Sequence, residues 1–392
     1  MSMQFERLGN VLIDIQPGFA SGKNIVNGTL QVRMNNVKSD GSWDWSKERR
    51  VPATDRQKEK YFLCKGDILF NATNSPEQVG KSAIFLGADE EVAFSNHFLR
   101  LRVNENLVVG GYLVRYFAYL WRLGTFKNMV DAWVNQATVQ RDGFLNLKIP
   151  LPPLPEQKRI AAILDKADAI RRKRQQAVQL ANQFIRALFL ELFGDPVTNP
   201  KGWKKVVLGD LIEFAKDGPH VSPIYSDSGI PFLSTRHIRP TGVVWKDLKY
   251  ITKNEAGRHW KKCKPQYGDI LYTKGGTTGV ACQVDFETDF AIWVHVALLR
   301  PLPKKANFIW LTHMLNSRYS YLQSQKYTRG ATNKDLGLTR MIDISMYCPP
   351  LTLQEQFVEI RDKLVNLVRA SDVLNNEKLF ESLNQKAFAG EL

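Results

Sequence analysis

A tandem repeat constrains this 392-residue chain more than any other feature, because it forces two copies of one fold in place of a single large one. Phe5-Glu6-Arg7-Leu8-Gly9-Asn10 matches Lys205-Val206-Val207-Leu208-Gly209-Asp210 at an offset of 200. Lys65-Gly66-Asp67-Ile68-Leu69-Phe70 matches Tyr267-Gly268-Asp269-Ile270-Leu271-Tyr272 at 202, and His97–Arg102 echoes His295–Arg300 at 198. Pro152-Pro153-Leu154 with Glu156-Gln157 echoes Pro349-Pro350-Leu351 with Glu355-Gln356, at 197 and 199. Phe193-Gly194 finds a partial echo in the final Phe388-Ala389-Gly390. Anchors in one order at nearly constant spacing mark a duplicated unit of about 200 residues.

Each copy has two parts. The first mixes short apolar runs, such as Asp67–Phe70 and Ala83–Leu86, with turns rich in Gly, Asn and Pro. Helical stretches at 112–123 and 308–322 interrupt these runs, so the class is α+β. The second part is a long helix. After Pro150–Pro155, neither proline nor glycine appears before Gly194. Ile160, Ile163, Ala167, Ile170, Ala177, Ala181, Phe184 and Leu188 recur at heptad spacing, with Arg174 interrupting the seam. The second rod, from Gln354 to about Phe388, carries Phe357, Ile360, Leu364, Leu367 and Leu374 on one face. An amphipathic rod needs an apolar partner, and the simplest is its own repeat, running antiparallel as a coiled coil. The layout is thus a globular domain at 1–150, a helical spacer at 151–199, a second domain at 200–348 and a second spacer at 349–392, with pseudo-two-fold symmetry.

Charge sharpens the reading. The chain holds 54 Lys and Arg against 39 Asp and Glu, net +15. The first globular part has 19 basic and 15 acidic residues, the second 22 and 12, so anion binding belongs to these parts and chiefly to the second. Nucleic acid is the commonest polyanionic partner. With 44% hydrophobic residues the chain is too apolar for disorder, and it holds no uncharged apolar run long enough to span a membrane. Cys64, Cys263, Cys282 and Cys348 are far apart and form no CxxC pair, and the six histidines show no HxxxH spacing. We expect no metal, no membrane, no export signal at the N-terminus and a reducing cytoplasm.

The junctions carry a family resemblance. Ile149-Pro150-Leu151-Pro152-Pro153-Leu154-Pro155-Glu156-Gln157-Lys158-Arg159-Ile160, Gly202-Trp203 through Leu208-Gly209-Asp210, and Lys386–Leu392 together resemble the specificity subunit of type I restriction-modification systems. In the second junction, 350–356, pairing Glu355-Gln356 with Glu156-Gln157 implies two extra residues. The resemblance implies two target-recognition domains, each reading one half of a split site in double-stranded DNA. It implies helices that fix the gap and dock two modification (methyltransferase) subunits, in an assembly that recruits restriction (motor-nuclease) subunits. It further implies that this chain binds no cofactor, while S-adenosylmethionine, ATP and Mg2+ sit on the partners. Two cationic units on a stiff spacer of tens of ångströms suit half-sites about one turn, ~34 Å, apart.

Base readers must be long polar side chains on loops of the globular parts, since Arg pairs with guanine and Asn or Gln with adenine. The first copy offers Lys23, Arg33, Asn35, Asn36, Asn71, Asn74, Lys81 and Arg141; the second offers Thr235, Arg236, His237, Arg239, Lys274, Thr277, Thr278, Arg329, Asn333 and Lys334. Taken singly, each reads first as a phosphate contact or plain surface and only second as a base reader. Asn74–Ser82 ends in Gly-Lys-Ser, but Ser75 stands where a phosphate loop needs its first glycine and Pro76 removes a donor, so a turn is the better reading. His97 and His295 sit in apolar runs and read as core residues. Arg171-Arg172-Lys173-Arg174 is either a solvated helix face or a track for phosphates across the unread gap. Trp43 and Trp45 read as partly buried.

Two other classes compete. A stand-alone amino-methyltransferase needs an Asn/Asp-Pro-Pro-aromatic loop, yet Asp195-Pro196 is followed by Val197 and each Pro-Pro pair by Leu. A coiled-coil adaptor for proteins explains the rods but not the cationic second domain. The sequence favours a non-catalytic DNA reader.

Overall fold

The computed structural model describes residues 4–133, 136–332, 334–370 and 376–392. Two units emerge, one from 1–175 with 374–392 and the other from 176–373.

The first unit begins with β1 (Phe5–Arg7), β2 (Leu12–Pro17) and β3 (Thr29–Val32). It continues through β4 (Ile68–Asn71), β5 (Ser82–Ile84), β6 (Val92–Phe94) and β7 (Phe98–Val103). Helix α1 (Gly110–Arg122), β8 (Lys148–Pro150) and the 40-residue α2 (Leu154–Phe193) follow. Antiparallel pairing orders the main sheet β2-β7-β4-β5. Strand β3 pairs in parallel with β6, and β1 pairs with β8 to tie the start of the chain to the foot of α2. The apolar run Ile68-Leu69-Phe70 is a strand because it is central and buried on both faces. Gly66, at φ +97°, makes the tight turn that precedes it.

The second unit repeats these eight strands in the same order. These are β9 (Lys204–Val207), β10 (Ile212–Asp217), β11 (Ile230–Leu233), β12 (Ile270–Thr273), β13 (Ala281–Gln283), β14 (Ala291–Ile292), β15 (Val296–Pro301) and β16 (Ser345–Cys348). Its sheet runs β10-β15-β12-β13, β11 pairs in parallel with β14, and β9 pairs with β16. Helix α3 (Phe308–Leu315) takes the place of α1; α4 (Leu351–Ala370) and α5 (Asn376–Ala389) end the chain.

Matching polar contacts fix both frames. Asp67, buried directly before β4, accepts from the Cys64 N–H and from Arg102 Nε, both at 2.8 Å; Asp269 accepts from the Gln266 N–H and Arg300 Nε at the same distance. Gln157 Oε1 accepts from the Val109 N–H at 2.8 Å, and its amide donates to the carbonyls of Leu107 and Pro152. Gln354 does the same with the Asn307 N–H and the carbonyls of Lys305 and Pro349. The partner of Gln157 is therefore Gln354, not Gln356, and α2 and α4 start at the equivalent Leu154 and Leu351. The two extra residues expected at the second junction do not exist.

Within each unit the long helices run antiparallel. In the first unit, Arg159 near the start of α2 donates to the Leu392 carbonyl at 2.8 Å, while Arg171 stands 5.5 Å over the Phe380 ring. In the second, Phe189 and Phe193 at the end of α2 pack edge-on against Phe357 near the start of α4, with 5.6 Å between centroids.

The expected seam is only partly the buried one. Ile160 and Phe357 are buried, and Ile163, Ala167, Ala181, Leu188, Ile360 and Leu364 are half-buried. Ala177 is exposed, and Ile170, Phe184 and Leu367 are 61%, 53% and 73% exposed. Leu374 lies outside the described residues. The inner stripe is instead Ile160, Leu164 and Asp168, returning as Ile185, Phe189 and Phe193. That interval of 25 residues is about seven turns of 3.6, the period of a straight helix. A strict heptad drifts ~20° per repeat from that face, which carries the later seam positions into solvent.

Candidate nucleic-acid interface

Loops of both units hold the basic and amide side chains that the sequence singles out, and burial divides them. In the first unit, the loop after β3 carries Arg33, half-buried, and Asn35, exposed. Asn36 is inside it, accepting from the Arg33 N–H at 2.9 Å and donating to the carbonyls of Asp44 and Lys47. Lys81 is buried too, its Nζ donating to the Val37 carbonyl at 3.0 Å. Burial, helped by the charge of Lys47, pulls its pKa down. Asn71 is fully buried in β4 with no hydrogen-bond partner for its amide. These three therefore cannot present themselves to a base, and the Gly-Lys-Ser turn holds its lysine inward, away from any phosphate.

Half-buried Asn74 instead lies on a short strand, 73–74, paired with 136–139, and exposed Arg141 follows that hairpin. Arg33 and His97 line a cavity of about 270 Å³ together with Gln31, Ser95 and Asn96. The Ser95 hydroxyl there is buried without a partner. Burial, then the charge of Arg33, lowers the His97 pKa. Lys23 is exposed on the neighbouring loop, which Arg49 pins by donating to the Ser21 and Gly22 carbonyls.

The second unit repeats the loop after its parallel strand. Arg236 and Arg239 are exposed and Thr235 half-buried, whereas His237 is buried and accepts from the Ser234 N–H at 2.9 Å. Its second loop cluster joins 274–280 to 328–336 through bridges from Asp335 to Gly275 and Arg329. Thr277, Arg329 and Lys334 are exposed there. Thr278 is buried, its hydroxyl 3.0 Å from that of Thr328. Lys274 is buried between Asp335, at 3.0 Å, and Asp217, at 3.4 Å, so its charge is already matched. Asn333 lies outside the described residues. His237, Thr278 and Lys274 thus join Asn36 and Lys81 as framework, for one reason: unpaired buried polar atoms are costly, so the fold turns them onto its own backbone, hydroxyls and ions; Asn71 is buried without such a partner.

Neither expected core histidine is in a core: His97 is half-buried and His295 exposed. Trp43 is half-buried, stacked at 5.1 Å on the exposed Trp45 and donating to the Ile84 carbonyl. In the basic run, Arg171 and Arg172 pair with Asp168, which is 1% exposed and also holds Arg115. That cluster was missed by the sequence reading; its one signal is Asp168 standing three and four residues before two arginines. Among the described residues, no group of His, Cys, Asp and Glu could hold a metal ion, and no helix is long and apolar enough to cross a membrane.

Duplicated mixed domains mounted on shared helices, each with its own exposed cationic loops, define a two-module binding protein suited to a polyanion. A model of the type I restriction modification DNA specificity domain matches the chain twice, at residues 30–180 and 200–377. The putative type I restriction enzyme MjaX specificity subunit of Methanocaldococcus jannaschii is 26% identical over 324 residues, 76% of this chain and 71% of that one. The EcoKI specificity subunit of Escherichia coli K12 is 24% identical over 260 residues, 62% of this chain and 54% of its own length. Among solved structures, the type I restriction-modification S subunit from M. genitalium superposes with a TM-score of 0.63 at 12% identity, covering 99% of this chain and 96% of that one. A chain from a structure of type I system assembly gives 0.51 at 19%, covering 99% and 98%. The chain belongs to the type I restriction-modification DNA specificity family, and its function is DNA recognition.

Proposed function

We propose that each globular domain of this specificity subunit reads one half of a bipartite double-stranded DNA site. The observation carrying the proposal is the duplication of eight strands with different side chains on equivalent loops: half-buried Arg33 and exposed Asn35 after β3, half-buried Thr235 and exposed Arg236 and Arg239 after β11. One framework with two surface chemistries suits two different half-sites. The remaining candidates, Lys23, Asn74 and Arg141 in one unit and Thr277, Arg329 and Lys334 in the other, supply phosphate contacts or base edges.

The helices act as spacer and as docking surface. Exposed Ile170, Leu180, Phe184 and Leu190 on α2 and Leu367 on α4 support docking of modification subunits, because large apolar side chains in water mark a binding face. In this reading the chain is non-catalytic. It directs methylation and restriction by the subunits it recruits, which carry S-adenosylmethionine, ATP and Mg2+. Single-molecule methylome sequencing of a host carrying this chain with its modification subunit tests the proposal. The outcome we expect is a two-part methylated motif with a fixed unread gap; one contiguous motif overturns the reading.

A further inference from the structure

We propose that Asn36 and His237 are the same positioning residue in two chemical forms, each setting the shape of the loop that carries its domain's base readers. The inference rests on the bipartite reading of the DNA site and adds the residues that determine specificity without touching DNA.

Both residues stand four positions after a strand in parallel pairing, β3 ending at Val32 and β11 at Leu233. Both are buried, at 3% and 2% exposure. Asn36 Oδ1 accepts from the Arg33 N–H at 2.9 Å, and His237 Nδ1 accepts from the Ser234 N–H at 2.9 Å. The backbone repeats the match. The Asn36 N–H donates to the Arg33 carbonyl and the His237 N–H to the Ser234 carbonyl, at 2.8 and 2.9 Å. The Asp44 N–H returns to the Asn36 carbonyl and the Val244 N–H to the His237 carbonyl, at 2.7 and 2.8 Å. In each domain the far limb of the loop is thereby closed onto one buried residue. Asn36 Nδ2 extends that closure to the Asp44 and Lys47 carbonyls, and in the second loop Arg236 donates to the Asp247 carbonyl at 3.2 Å.

The chemistry explains how such different residues share one place. Asn Oδ1 and His Nδ1 are both acceptors attached to Cγ, so each reaches back to the N–H three residues earlier with similar geometry. A side chain lacking that acceptor leaves a buried N–H unpaired and frees the loop, and the exposed side chains on it lose their fixed direction. Arg33 and Asn35 depend on Asn36 in this way; Thr235, Arg236 and Arg239 depend on His237.

The test uses the full chain assembled with its modification subunit, and duplexes in which each half of the methylated motif is altered in turn. We expect His237→Ala to lower discrimination at the second half about tenfold while the first half is read as before. His237→Asn, which imports the first domain's own solution, should restore it to within about threefold. Asn36→Ala should do the reverse, with the second half as internal control. Unchanged discrimination in His237→Ala overturns the inference, as does His237→Asn failing as badly as Ala, or equal loss at both halves. These outcomes are distinct from failure of the bipartite reading, which would show as a contiguous motif with the unaltered chain.

Discussion

The two units share their framework and differ in what surrounds it. At the entries to the central strands and long helices the same chemistry sits in the same places: Asp67 with Arg102 against Asp269 with Arg300, and Gln157 against Gln354. At the loops the chemistry diverges. The first unit buries Lys81 on a single backbone carbonyl, where the second builds an ion cluster in which Asp217 holds Lys262 and Lys274. Burial opposes the Asp217 charge, but the hydrogen bond from Lys262 and the two lysine charges outweigh it and hold its pKa below the ordinary value. Contacts that satisfy the backbone of a fold are interchangeable between copies, whereas loops free of that duty are free to change what they recognise.

The comparison breaks most visibly if the shared frame is not energetically shared. Asp67→Ala and Asp269→Ala each leave a half-buried arginine and an N–H without their carboxylate, so each should cost about 3 kcal/mol. Chemical denaturation of the purified variants measures this, and losses differing by more than about twofold would show that the frames are not equivalent.

A second test concerns a feature of one unit alone. His313 lies 6.1 Å from the Phe189 ring and 5.1 Å from the Phe357 ring. Burial, with the charges of Arg361 and Arg186, lowers its pKa to about 4. Since the unfolded chain then binds the proton more readily than the folded one, stability is full above about 6.5 and falls as pH drops from there toward 4, by up to about 3 kcal/mol. His313→Phe should flatten that part of the pH–stability curve, and an unaltered slope would exclude His313 as its source.

Gln157→Leu and Gln354→Leu test the junctions. Each leaves the Val109 or Asn307 N–H without its acceptor, at a cost of about 2 kcal/mol, read from the midpoint of urea unfolding. If Gln356→Leu costs as much as Gln354→Leu, Gln354 is not the sole counterpart of Gln157 and the equivalence of the two junctions fails. The smallest effect is at the surface. Arg239→Ala should reduce the slope of log affinity against log salt by about one if that side chain meets a phosphate, and a filter-binding series over salt decides it.

Much was legible in the residues alone. The repeat anchors and the residue pattern marked the first junction, both Gly-Asp turns and a long helix after Pro155, because backbone turns and long amphipathic runs are written locally; the second junction they set two residues off. The helix period was not legible. Heptad and 3.6-residue readings agree near Ile160 and part only after several turns, and they part where α2 passes from one set of neighbours to the next. The interface candidates divided for a similar reason. Lys81 meets a carbonyl 44 residues away and Lys274 an aspartate 61 residues away, distances over which sequence spacing carries no signal.

By itself the sequence determined that the chain is duplicated, mixed in class, cationic in its globular parts and similar to a DNA specificity subunit, all properties of composition and order. Only the tertiary structure decided which polar side chains face solvent and which hold the frame. A lysine or asparagine is the same residue in either role, and the difference lies in whether a distant segment folds over it and offers a partner.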